Sequence, residues 1–278
     1  MNITAKSILA MSCLACSSPA LAAGPASFNL DHVAYSGGRG VRSVATLDTV
    51  IRMSESTKAL LTFGTGQRRA GGQATNAVRV DAALTHNWSG KFSSQTSLSL
   101  ASSGTIFARS QFAQDLSLKL TDGFVATLGG KYSSWAGGDH VKALSAGASY
   151  YFPGLSASYR FSLFDSSKLG GSHTHLASLR LSDPHGRGAT QLWVGAGTSL
   201  YDVNPTAPSK AGTFTSLALR REQPIGSRFA LSAGFTHSWF RGPTGNYHAD
   251  GFLVGFRLLG SPSGLRKSVL KNGARNQN

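Results

Sequence analysis

Apolar and polar residues alternate one for one along most of this chain. The clearest run is Leu155 to Phe164. Leu155, Ala157, Tyr159, Phe161 and Leu163 share one face, and Ser156, Ser158, Arg160 and Ser162 share the other. A period of two places side chains on opposite faces of a β-strand. Phe112, Leu116, Leu118 and Leu120 likewise oppose Arg109, Gln111, Asp115, Ser117 and Lys119. Val78, Val80, Ala82, Leu84 and Trp88 oppose Arg79, Asp81, Thr85 and Asn87. Phe229, Leu231, Ala233, Phe235 and Trp239 oppose Arg228, Ser232, Thr236 and Ser238, and Phe252, Val254, Phe256 and Leu258 oppose Gly255 and Arg257. About 14 such segments follow one another, near 26–36, 41–54, 58–69, 76–89, 91–103, 107–120, 124–136, 140–152, 155–167, 172–183, 188–201, 211–223, 227–240 and 247–259. Short turns such as Thr121-Asp122-Gly123 and Phe152-Pro153-Gly154 separate them and suit antiparallel hairpins. Longer Gly-rich or Pro-bearing connections near 71–76, 202–212 and 242–248 read as outer loops.

A soluble β-sandwich would alternate in the same way, with its polar face in water. Two features favour a membrane barrel. The polar face is mostly Ser, Thr, Gly, Gln and Asn with single Arg or Lys residues. Aromatic residues gather toward segment ends, at Trp88, Phe124, Trp135, Tyr150, Phe152, Phe164, Tyr201, Trp239 and Phe240, as girdles at two membrane–water boundaries would. Composition agrees. Charged residues make up 14% of the 278, against roughly 25% in ordinary soluble domains. There are 33 glycines, and Glu55 and Glu222 are the only glutamates, which disfavours helix. No apolar run approaches the roughly 18 residues of a membrane-spanning helix. A helical membrane protein, a coiled coil and a helical bundle are therefore excluded. The reading is an all-β, antiparallel, up-and-down transmembrane β-barrel of about 12–14 strands, in a Gram-negative outer membrane.

The chain divides into a signal peptide over 1–22, a barrel domain over 23–260 and a basic polar tail over 261–278. Lys6, the apolar stretch Ile8–Cys16 and the small-residue pattern Ala20-Leu21-Ala22 form an export signal cleaved after Ala22. Cys13 and Cys16 both fall inside it, so the mature chain has no thiol for disulfides, catalysis or zinc. In the tail, Arg266, Lys267, Lys271 and Arg275 are solvated, or join Leu265, Val269 and Leu270 in one amphipathic turn at anionic lipid.

The net charge is +15, from 27 Lys and Arg against 12 Asp and Glu. On the polar faces the lumen candidates are Arg79, Arg109, Lys119, Arg160, Arg180, Arg220 and Arg257, with Arg42, Arg52 and Lys91 beside them. Acids on those faces are fewer: Asp48, Asp81 and Asp115. A water-filled lumen of this charge favours anions, with an anionic solute or polysaccharide as the expected partner. In a plugged lumen the same charges would pair or bond to carbonyls. Arg68, Arg69 and Arg187 read as loop residues facing lipopolysaccharide phosphates.

The stretch Gly154-Leu155-Ser156-Ala157-Ser158-Tyr159-Arg160, then Gly171-Ser172-His173-Thr174-His175, Ser178-Leu179-Arg180 and Gly195-Ala196-Gly197-Thr198-Ser199, resembles the YaiO-type outer-membrane β-barrel family, mainly over 120–260. The resemblance implies an outer-membrane barrel and carries no catalytic or ligand residue. Barrels encoded beside exopolysaccharide export systems are similar in texture.

Four other kinds of chemistry compete with this reading. His237-Ser238, with His173 and His175, are the candidates for a lipid-modifying enzyme. A serine nucleophile needs a base within hydrogen-bond reach, and adjacent strand residues face opposite ways. His173-x-His175 places two imidazoles on one face without a companion ligand. Gly37-Gly38-Arg39-Gly40 lacks the strand-to-helix context of a phosphate loop. The cations are spread singly rather than clustered, which argues against nucleic acid. The expectation is a monomeric, non-enzymatic barrel without cofactor, a passive pore or envelope accessory in lipid and lipopolysaccharide. A lipid-modifying barrel and a secreted soluble β-sandwich binding module are the alternatives.

Overall fold

The computed structural model describes residues 25–184, 188–199, 212–242 and 245–259. The proposed signal peptide and basic tail lie outside the described residues, as do Arg187 and Tyr201. Fourteen strands follow one another: β1 (Ala26–Tyr35), β2 (Gly40–Arg52), β3 (Thr57–Ala70), β4 (Gln73–Asn87), β5 (Phe92–Ala101), β6 (Ser110–Lys119), β7 (Phe124–Ser134), β8 (His140–Phe152), β9 (Leu155–Ser166), β10 (Gly170–Ser182), β11 (Ala189–Ser199), β12 (Gly212–Ile225), β13 (Phe229–Gly242) and β14 (Gly245–Leu258). Each pairs antiparallel with its sequence neighbours, and β1 closes on β14 from Ala26 opposite Leu258 to Tyr35 opposite Ala249. Closure answers every ladder donor and acceptor within the chain, which hydrocarbon requires. It also removes the soluble sandwich, whose two sheets have free edges.

The register fixes two faces. Leu100, Leu128, Leu144 and Val254 sit on the convex side, and Leu144 is 71% exposed. An apolar surface this extensive around a whole molecule is stable against lipid, not water. Phe124, Tyr150 and Phe152 form a contiguous aromatic group on that side near one end, with Tyr150 and Phe152 ring centroids 4.2 Å apart. Both termini of the barrel lie at that end, where the turns are short. The longest described connection, 102–109, is at the other end, and in barrels of this kind the long loops mark the outer end.

Four sequence expectations are corrected. The connection expected over 71–76 is a two-residue turn, Gly71-Gly72, with φ of 57° and 77°. A type I′ hairpin needs positive φ at both central positions, and glycine supplies it without strain. Gln73–Asn76 then continues β4; its polar residues hide the alternation there. In the same way β13 and β14 extend to Gly242 and from Gly245. Phe164 and Phe240, read as girdle residues, point inward: Lys131 Nζ lies 5.3 Å from the Phe164 ring centre, and Phe240 is buried with Tyr35 and Ala249. The sixth segment starts at Ser110, not 107, because Ile106 and Phe107 belong to a loop that turns into the barrel.

Nitroxide labels at Leu118 and Ser117 test the facing. The label at 118 is expected to collide with oxygen dissolved in lipid, and the label at 117 with a water-soluble relaxant. Equal lipid contact at both would refute the assignment.

Candidate functional site

The inner wall is built by arginines lying flat across glycines. Gly147 on β8 stands opposite Arg160 on β9, and Gly129 on β7 stands opposite Asp115 on β6. With no side chain at either glycine, Arg160 crosses two strands to pair with Asp115, its Nη1 donating to Oδ2 at 3.5 Å. Its Nη2 also donates to Ser145 Oγ at 2.7 Å. Contact across two intervening strands is possible only on the concave side, which identifies the polar face as the lumen.

The pattern recurs at the seam. Arg220 on β12 passes Gly234 and Gly255, donating to Ser232 Oγ at 3.0 Å and to Asn29 Oδ1 on β1 at 3.4 Å. Asn29 Nδ2 donates to Asp48 Oδ2 at 3.2 Å, and Thr62 Oγ1 donates to Asp48 Oδ1 at 2.6 Å. The chain of bonds thus runs from β12 to β3. A Cβ on Gly255 would stand 2.6 Å from Ser232 Oγ, so the crossing depends on that glycine.

The other sequence candidates fall as follows. Arg79 lies beside Asp81 at 2.8 Å, and Arg257 donates to Glu222 at 2.5 Å. Arg42 is 3.5 Å from Asp31. Lys119 ends β6 and pairs at 2.9 Å with Asp122 in the turn, whose carboxyl its hydrogen bond holds below the usual range. Arg180 occupies an inner position opposite Gln191 and Ser156 and makes no side-chain bond among the described residues. Arg109 is exposed at the base of the inward loop, and Lys91 and Arg52 lie at the rim of the terminal end. Arg68 is corrected from loop to strand: it is buried on β3 with its guanidinium 5.3 Å from the Tyr35 ring. Arg69 follows it on the outer face of β3.

Sequence reasoning missed Asp31, Glu222 and Lys131 on inner positions. Parity counted from a strand's clearest residues would have found them. It also missed apolar inner residues. Leu176 and Trp193 stand opposite Gly195 and Ser178 on the lumen face.

Two apolar groups narrow the outer half of the lumen. Loop 102–109 folds inside, with Ile106 and Phe107 buried against Ala77 and packed on Val44 and Ala101. A Cβ on Gly66 would lie 2.9 Å from Ile106 and 3.0 Å from Phe107, so the loop's seat exists because residue 66 has no side chain. The Arg79 guanidinium stacks 4.6 Å from the Phe107 ring centre. On the far side of the loop, the Ala136 amide donates to Gly104 O at 3.3 Å. Beside this group on the inner wall, Tyr35, Phe240 and Ala249 pack with Val33, Phe214 and Tyr247.

His185 lies outside the described residues; every other histidine occupies an outward position. Their ring nitrogens are answered across strands: His32 Nδ1 lies 2.9 Å from Ser43 Oγ, His86 Nδ1 2.9 Å from Thr57 Oγ1, and His175 Nδ1 2.7 Å from Tyr159 OH. Polar groups facing lipid need such partners. His173 and His175 have ring centres 5.5 Å apart, and no group of three potential metal ligands forms among the described residues. His237 shares the outer wall with Trp239, while Ser238 points inward. His237 Nδ1 lies 2.6 Å from Asp250 Oδ1, a pairing legible only from the β13–β14 register.

At the opposite end, Arg221 Nη1 donates to Asp183 Oδ1 at 2.8 Å. This bond holds the Asp183 carboxyl below the usual carboxylate range. A depressed carboxyl stabilises the fold above its unfolded value, and the gain is lost as pH falls through the folded one. Asp183→Asn is therefore expected to lower stability slightly at neutral pH. The difference from wild type should vanish in acid, as read by urea unfolding in detergent across pH.

A family model described as the YaiO membrane beta barrel domain matches residues 25–202. Among solved structures, the CymD monoaromatic hydrocarbon channel superposes with a TM-score of 0.59 at 9% identity, covering 93% of this chain and 93% of that one. A bacterial polysaccharide outer membrane secretin superposes with a TM-score of 0.55 at 7% identity, covering 86% of this chain and 99% of that one. At these identities the likeness is one of fold.

Proposed function

The chain belongs to the YaiO membrane beta barrel family, and on that footing we propose that it is a non-enzymatic, monomeric outer-membrane pore that favours anions. Its surroundings are the lipid and lipopolysaccharide of that membrane. The observation that carries the reading is the way Arg160 and Arg220 are laid along the wall over inward glycines. Arginines so held leave the axis of the lumen clear; Arg160 is balanced by Asp115, and the uncompensated positive charge comes from Arg220, which bonds only neutral partners. Arg180, which lines the same cavity as Arg220 and pairs with no carboxylate among the described residues, adds a second uncompensated guanidinium beside it. Fixed charge of one sign in a low-dielectric channel concentrates the opposite ion.

Planar bilayers under a steep KCl gradient provide the test. Discrete current steps with a zero-current potential of the sign set by chloride are expected. Cation preference, or silence from protein that is folded by heat-modifiability, would overturn the proposal.

A second reading, a lipid-modifying enzyme, draws on His237 beside Asp250 on the lipid-facing wall. Among the described residues no serine or threonine hydroxyl bonds the other nitrogen of His237, so a nucleophile is missing. Altered lipid profiles in cells carrying wild-type protein, reverting with His237→Ala, would favour that reading over the pore.

A further inference from the structure

One cavity in the lumen has a lining that a simple ion path does not need. It lies toward the terminal end, in the arc from β10 round through β14 to β2, and has a volume of about 260 Å³. A water's share of liquid is about 30 Å³, so the space exceeds what a bare ion requires. Its walls carry Arg180, Arg220, Arg257, Gln191, Asp48 and Glu222.

These groups are not equivalent. Arg257 is engaged by Glu222, and Arg220 by Ser232 and Asn29. Arg180 alone of the three has no side-chain partner among the described residues, although it lies in the cavity wall. A guanidinium presents five donors in a rigid fork that matches a planar carboxylate in two parallel bonds. Gln191 stands directly opposite it on the next strand, offering an amide beside the fork. Asp48 and Glu222 supply acceptors in the same space. They disfavour a dianion such as phosphate, and they suit a ligand that donates hydroxyl hydrogens. One carboxylate together with several hydroxyls, on a body of pyranose size, describes an acidic sugar.

We propose that this cavity is a subsite for a uronic acid residue, with Arg180 holding its carboxylate and Asp48 and Glu222 accepting from its hydroxyls. The inference deepens the pore reading and rests on it for access to the lumen. The site itself can be read without conduction.

Two measurements on the full-length protein in detergent or bilayers separate the outcomes. Calorimetric titration with glucuronate is expected to show binding, with glucose and inorganic phosphate bound at least about tenfold more weakly. Arg180→Gln should weaken glucuronate binding about tenfold or more, the scale of one lost charge-assisted pair. Arg180→Lys, which keeps the charge without the fork, should recover only part of it. Arg221→Gln, on the outer wall, should bind as wild type does. In bilayers, glucuronate should interrupt the current through the wild-type protein and not through Arg180→Gln. Binding without current would overturn the pore and leave the subsite standing. Current without glucuronate binding would overturn the subsite and leave the pore. Equal binding of phosphate, or undiminished binding in heat-modifiable Arg180→Gln, would overturn the acidic-sugar assignment.

Discussion

Valine at Gly129 is expected to destabilise the folded barrel by roughly 1–3 kcal/mol, the usual range for overpacking, while valine at Gly130 is expected to be neutral. The two glycines are adjacent in β7 and face opposite ways. A Cβ on Gly129 would overlap the Asp115 carboxylate and the Arg160 guanidinium, and would sit 2.8 Å from Ser145 Oγ. The substitution therefore breaks the crossing from β9 to β6 as well as crowding it. It leaves a carboxylate and a guanidinium without each other. No heavy atom lies within 4 Å of a Cβ on Gly130, which looks out on lipid. Urea unfolding in detergent, followed by the gel shift between folded and boiled forms, measures both. A loss at Gly130 equal to that at Gly129 would mean that the arginine crossing does not matter to stability.

Replacing Ile106 and Phe107 together by serine is expected to enlarge the pore. Their burial seats loop 102–109 on Gly66 and Ala77 inside the outer half of the lumen. Truncating one buried phenylalanine costs about 3–5 kcal/mol in a packed core. Each 1.4 kcal/mol is a tenfold shift, so the ratio of seated to released loop should fall by roughly a hundredfold or more. The readouts are higher and noisier single-channel conductance, and proteolysis within 102–109 in intact cells. Unchanged conductance with a newly cleavable loop would mean that the loop lines the wall without narrowing it. Gly66→Leu should produce the same phenotype from the opposite side, because its side chain would occupy the seat.

The fold was legible because period-two alternation is a direct consequence of a wall between two solvents. The clearest runs, Val78–Leu84, Phe112–Leu118, Leu155–Leu163, Phe229–Trp239 and Phe252–Leu258, became strands with the alternating apolar residues outward. What stayed hidden had one physical cause: departures from alternation where the wall meets something other than lipid or water. Ile106 and Phe107 read as the start of a strand because a loop folded inside is apolar too. Phe164 and Phe240 read as girdle residues because ring placement near a strand's end does not tell inward from outward. Asp31 and Glu222 went unnoticed among residues of mixed character, although they answer Arg42 and Arg257. The arginine crossings were out of reach for a different reason. They depend on which glycine stands beside which arginine on three or four strands at once. That is a property of register, and register is set by the closed sheet.

The meeting of β1 with β14 has a bearing on the lifetime of the protein. Ten residue pairs join strands from opposite ends of the described chain, and Arg220 reaches over the join to Asn29. Parting them would strip both edges of their partners in a solvent with no replacement donors or acceptors. Once the cylinder has shut, reopening is therefore a rare event. Its persistence is a matter of rate more than of equilibrium.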